Sequence, residues 1–124
     1  MYRVSVTRHF DSAHFLRGYE GKCEALHGHR YQVKLTVETD RLNAIGLAFD
    51  FTLLKKELDA VIAKYDHHCL NEVPPFDNIN PSAENIAETI YRELKLRMEK
   101  APVNITEVEV WESPDSSAVY IPDI

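Results

Sequence analysis

A chain of 124 residues, 44% hydrophobic and with no apolar run near the ~20 residues of a membrane span, is too short for two ordinary domains. It is expected to be one soluble domain, residues 1–124. Its formal net charge of −6 argues against broad contact with a phosphate backbone, which calls for a basic face, and favours a small ligand. The first residues enter an alternating pattern with no charged-then-apolar leader, so a cytoplasmic location is expected, where Cys23 and Cys69 remain free thiols.

Alternation predicts a strand over residues 2–15, with Tyr2, Val4, Val6, Phe10, Ser12 and His14 on one side. His14 thereby shares a face with apolar core positions. The connection from Leu16 to Leu26 contains Gly18 and Gly21 and is long for a hairpin loop, which suits a mobile flap that delivers Cys23 to a site. A second strand is expected over 29–39. His29, Tyr31, Val33, Leu35 and Val37 fall on its buried side, opposed by Arg30, Gln32, Lys34, Thr36 and Glu38.

Helical spacing of Leu54, Leu58, Val61, Ile62 and Tyr65 predicts an amphipathic helix from about Thr52 to Tyr65. A second helix opens at Ser82, an N-cap after Pro81, carries Glu84 in its first turn, runs through Ile86, Ile90, Leu94 and Met98, and stops before Pro102. Asp66 to Pro75, ending in two prolines, is expected to be a loop between them. A final hairpin follows, with strands over 105–112 and 117–121 around Ser113-Pro114-Asp115-Ser116.

The chemistry concentrates in Cys23-Glu24-Ala25-Leu26-His27-Gly28-His29. On a strand, His27 and His29 project from one face roughly 7 Å apart, within reach of one ion. A catalytic zinc keeps three protein ligands and one open position. His14 is the expected third ligand, because a chain returning from residue 15 to residue 27 sets it beside the pair. Cys23, near a zinc or an imidazolium, would favour its thiolate. Asp66 can orient or charge-couple His67, forming with Cys23 a proton-transfer set. Glu112 shares parity with Val108 and Val110 and should turn toward the buried face, where it meets a basic group or a ligand's N–H groups, or else stays wet at a frayed strand end. Metal binding by His67, His68 and Cys69 is the lesser alternative, because three histidines already complete a catalytic-type site.

Phe10-Asp11-Ser12-Ala13-His14, Cys23-x3-His27-Gly28-His29, Asp50-Phe51, Asp66-His67-x2-Leu70-Asn71, Ser82-Ala83-Glu84-Asn85 and Val110-Trp111-Glu112 stand in the order of the 6-pyruvoyl-tetrahydropterin synthase superfamily, which the chain resembles over nearly its whole length. The three residues between Cys23 and His27 resemble its 6-carboxytetrahydropterin synthase branch, of queuosine biosynthesis. The resemblance implies an α+β tunnelling fold: a four-stranded antiparallel sheet with two helices on one face, assembling through strand edges into a barrel-like hexamer or tetramer with active sites between subunits. It implies Zn2+ on His14, His27 and His29, Cys23 as base, Asp66 and His67 as relay, and Glu112 gripping the pterin. Ser82 stands where the family has pterin-binding threonines, although Ala83 replaces the second hydroxyl. The implied reaction is lyase chemistry on 7,8-dihydroneopterin triphosphate, giving 6-carboxytetrahydropterin, acetaldehyde and triphosphate. Glu24 also completes Glu-x2-His-Gly-His, which resembles a branch making 6-hydroxymethyl-dihydropterin, so that product and the pyruvoyl product are the alternatives. A zinc-binding oligomer without turnover is the reading from another class. Arg8, Lys22 and Arg30 are the cations considered for the triphosphate.

Overall fold

The computed structural model describes residues 1–18 and 25–123. Five strands form one sheet: β1 (Tyr2–His14), β2 (His27–Thr39), β3 (His68–Cys69), β4 (Asn104–Ser113) and β5 (Ser116–Tyr120), in the order β3-β1-β2-β4-β5. Helices α1 (Phe51–Ile62) and α2 (Ala83–Arg97) supply the second layer. The β1–β2, β2–β4 and β4–β5 pairs are antiparallel.

The expected sheet of four antiparallel strands is therefore corrected to five, because His68 and Cys69 pair in parallel with Ser12 and Ala13. Two residues are too few to show a period of two, which is why this edge strand reads as loop in the sequence. The first helix ends at Ile62 rather than at Tyr65. Beyond Ala63 the chain turns, while Tyr65 stays fully buried against the core.

One face of the sheet is apolar and both helices pack into the core it builds. Val6, Phe10, Tyr31, Val33, Leu35, Val37, Val108 and Val110 meet Leu54, Leu58, Val61 and Ile62 from α1 and Ile86, Ala87, Ile90 and Leu94 from α2. Asp50 caps α1 by accepting from Thr52 N at 2.8 Å, and Ser82 caps α2 by accepting from Asn85 N at 3.1 Å. Each cap satisfies an amide that the first helical turn leaves without a partner. Arg8 lies against Asp59 of α1, Nε to Oδ1 at 2.9 Å and Nη2 donating to Oδ2 at 3.0 Å. Its guanidinium is thus engaged at the β1–α1 rim.

Past His14 no strand pairs with the chain's outer edge among the described residues, and two asparagine amides bond it instead. Asn71 accepts from Phe15 N and donates to Phe15 O, both at 3.0 Å. Asn80 does the same for Arg17, at 2.9 Å for both bonds. Arg17 in turn donates to Phe76 O and Ile79 O. A side-chain amide carries one donor and one acceptor face, as a peptide does, so it pairs with an extended backbone without a β-strand. The segment preceding α2 is thereby tied to the residues that follow His14. Replacing Asn71, which is buried, by alanine leaves two backbone groups of Phe15 without partners and is expected to lower stability by about 1–3 kcal/mol in urea unfolding.

Candidate metal centre and active site

His14 ends β1 and His27 begins β2, and the two are directly opposite in register. His29 follows two residues later on the same face. The alternation that buries Phe10 and Tyr31 thus gathers all three imidazoles, with ring centroids 4.6 Å (His14–His27), 5.1 Å (His14–His29) and 4.6 Å (His27–His29) apart. Glu112 joins them from β4. It lies at an irregularity of the β4–β5 register between Trp111 and Ser113, and such bulges re-aim side chains. Its Oε1 is 2.8 Å from His29 Nε2, 3.5 Å from His14 Nε2 and 3.9 Å from His27 Nε2.

Two backbone carbonyls decide what these rings offer. His14 Nδ1 donates to Pro81 O at 2.8 Å, and His27 Nδ1 donates to Ala25 O at 2.6 Å. A carbonyl only accepts, so each Nδ1 carries the proton and each neutral ring leaves Nε2 as a bare acceptor. Those two Nε2 atoms stand 3.0 Å apart. Two lone pairs facing at that distance repel unless a cation lies between them. Tetrahedral zinc with bonds of about 2.0–2.1 Å sets its ligands about 3.3 Å apart, close to the spacing seen. His29 Nε2 is buried, has no partner other than Glu112 Oε1, 2.8 Å away, among the described residues, and is not locked by a backbone group. An orphaned ring nitrogen, a pair of facing acceptors and a carboxylate form a donor set that fits a divalent ion. Proline and alanine carbonyls holding the ring tautomers are the usual outer support of such a site.

His14 is wholly buried, whereas the side chains of His27, His29 and Glu112 are 22–28% exposed. The cluster therefore has a closed back and an open front, as a centre that admits a ligand requires. Burial, together with the neighbouring His14 and His27, holds the His29 pKa below its ordinary value against the opposing pull of Glu112. Its neutral, ligating form therefore persists at neutral pH.

Asp66 and His67 come together elsewhere, around Asp11. Asp66 Oδ1 accepts from Asp11 N at 2.9 Å, His67 N donates to Asp11 O at 2.6 Å, and Asp66 Oδ2 lies 3.6 Å from His67 Nε2. Asp11 is on the opposite parity of β1 from His14, so this group stands apart from the four metal-facing side chains within one chain. His67 has φ 57, a left-handed conformation, and its side chain is 77% exposed. Such backbone in a non-glycine residue costs about 1–2 kcal/mol and needs a compensating reason. Ser82 sits at the α2 N-cap immediately after Pro81. His68 and Cys69 join neither metal-ligating group among the described residues. Cys23, Glu24 and Lys22 lie outside the described residues. Asp11, Tyr31 behind the imidazoles and the two tautomer-setting carbonyls were not singled out from the sequence. Asp11 acts here through its main chain, and main-chain groups leave no mark in side-chain identity.

Replacing His14 by alanine is expected to abolish binding of one zinc per chain, measured by metal analysis after dialysis. Loading should be complete at neutral pH and fall in acid, as protons compete with the ion for the imidazoles; burial, which holds the His29 pKa below its ordinary value, favours loading at that ligand. At the second group, His67→Gly should leave Tm unchanged or raise it, whereas His67→Val should lower it by several degrees, about 1–2 kcal/mol, in a thermal melt.

Residues 3–123 match the 6-pyruvoyl tetrahydropterin synthase family. The 6-carboxy-5,6,7,8-tetrahydropterin synthase of Bacillus subtilis is 34% identical, the alignment taking in 98% of this chain and 86% of that protein. The protein of the same name from Synechocystis is 35% identical over 90% of this chain and 86% of its own. Among solved structures, the Caenorhabditis elegans 6-pyruvoyl tetrahydropterin synthase superposes with a TM-score of 0.84 at 27% identity, covering 99% of this chain and 98% of that one. The two-helix, largely antiparallel architecture is thus the tunnelling fold, and the chain belongs to the 6-pyruvoyl tetrahydropterin synthase family.

Proposed function

We propose that the chain is a zinc-dependent 6-carboxy-5,6,7,8-tetrahydropterin synthase of queuosine biosynthesis. It is a carbon–carbon lyase that turns 7,8-dihydroneopterin triphosphate and water into 6-carboxytetrahydropterin, acetaldehyde and triphosphate. The observation that carries this reading is the convergence of three Nε2 atoms and one carboxylate on a point with an open front. The product named for the Bacillus and Synechocystis relatives supports the choice within the family, as does the three-residue spacing from Cys23 to His27.

His14, His27 and His29 would hold the ion, which when bound would supply Lewis acidity to a side-chain hydroxyl of the substrate. Cys23 takes a proton from the substrate side chain as thiolate, and His67, charge-coupled to Asp66, accepts and returns protons on the other side. Glu112, whose Oε1 lies among the imidazoles, turns toward the open front to hold the pterin's two parallel N–H donors with its two oxygens, much as a carboxylate holds arginine, and so sets the register of the substrate's side chain. Ser82 offers a hydroxyl at the same end of α2. The separation of the Asp66–His67 pair from the imidazoles within one chain supports sites shared between subunits of a homo-oligomer, each pocket taking its relay from a neighbouring copy.

Incubating the zinc-loaded protein with 7,8-dihydroneopterin triphosphate and resolving products by mass tests the proposal. Carboxypterin with stoichiometric acetaldehyde is expected. Pyruvoylpterin or hydroxymethylpterin as the main product contradicts the assignment, and no product at all contradicts catalysis. Cys23→Ala should retain zinc while losing at least about 100-fold in turnover.

A further inference from the structure

Tyr31 is fully buried directly behind the metal-facing side chains. It follows His29 by two residues on the same face of β2, and its register partner on β1 is Phe10. Its chain neighbour Gln32 pairs with Trp111 of β4, the residue before Glu112. Its ring stacks on Phe10 at 4.9 Å and 12°. It meets His14 edge-on at 5.8 Å and 85°, and His29 at 5.6 Å and 73°. Its hydroxyl is buried and makes no hydrogen bond, so what the position uses is the ring.

The three imidazoles differ in what restrains them. His14 and His27 are each locked at Nδ1 by a backbone carbonyl. His29 has no such carbonyl among its described contacts; its near polar neighbour is the carboxylate of Glu112 at 2.8 Å, a partly exposed side chain rather than fixed backbone. Free rotation about its side-chain torsions would carry Nε2 away from the point where the other two converge. The Tyr31 ring, itself clamped by Phe10, blocks that rotation, because an edge-to-face contact tolerates only a narrow range of relative orientations.

We propose that Tyr31 is a positioning residue of the metal centre, its ring fixing His29 in the ligating orientation that backbone carbonyls secure for His14 and His27. The inference rests on the reading that the three imidazoles hold a divalent ion. Hydrogen-bonded supports of ligating histidines change metal affinity by about 10–100-fold when removed, and at His29 the Tyr31 ring stands in for such a support.

Zinc affinity of the full chain, measured by competition with a chromophoric chelator and paired with the visible absorption of the cobalt-substituted protein, tests it. Tyr31→Leu is expected to weaken zinc binding at least about tenfold and to broaden the cobalt bands. Tyr31→Phe should stay within about twofold of the unaltered chain, since only the unpaired hydroxyl is lost. Phe76→Leu, a fully buried ring whose described ring contact is Tyr65, serves as the control: it should lower Tm while leaving affinity within about twofold. Should Tyr31→Leu not accumulate in folded form, Phe10→Leu removes the clamp behind the ring and carries the same expectation. Unchanged affinity in Tyr31→Leu, an equal loss in Phe76→Leu, or a tenfold loss in Tyr31→Phe overturns the proposal. An unaltered chain that binds no zinc overturns the metal reading itself, which the variants then cannot rescue.

Discussion

Two imidazole nitrogens 3.0 Å apart, each stripped of its proton by a backbone carbonyl on the far side of its ring, are the constraint on which this molecule turns. Such an arrangement is unfavourable by itself and becomes favourable around a cation. It exists because β1 ends and β2 begins at a single register pair, His14 with His27. A shift of one residue would send every side chain of β2 to the other face, trading the histidines for Gly28 and Arg30 and the core for Gln32 and Lys34. The alternation that makes the core therefore also aims the imidazoles at one another.

The same economy governs the surroundings. Pro81 ends the segment before α2, and its carbonyl sets the tautomer of His14. The side chains of Asn71 and Asn80 tie that segment to the backbone at residues 15 and 17. Ser82, next in line, caps α2. One stretch of irregular chain thus orders a ligand, the exit of a strand and the start of a helix. The amide pairs there matter more to local order than the exposed ion pairs, such as Arg3–Glu38, which contribute about 1 kcal/mol or less.

Strong periodicity made most of this fold legible in the sequence. The buried alternation of Val6, Phe10, Ser12 and His14, the odd-numbered side of β2, the helical stripes and the Ser82 cap all appear where the pattern places them. The histidine cluster was legible for the same reason, since parity alone put His14 and His29 on the core face. Glu112 was legible only in direction: its parity pointed inward, but the bulge that brings it to His29 arises from pairing with β5. The two-residue β3 and the left-handed His67 were invisible, because the first is too short to have a period and the second reflects contacts of Asp11 that come from far along the chain. Arg8, considered for phosphate binding, is matched instead to Asp59, a pairing that only the packing of α1 on β1 creates.

The most direct test of the account is X-ray absorption at the zinc edge of the metal-loaded protein. The account predicts one ion per chain with three imidazole nitrogens at about 2.0–2.1 Å and no sulfur in the first shell. A shell containing sulfur, or one of oxygens without imidazole scattering, would contradict it.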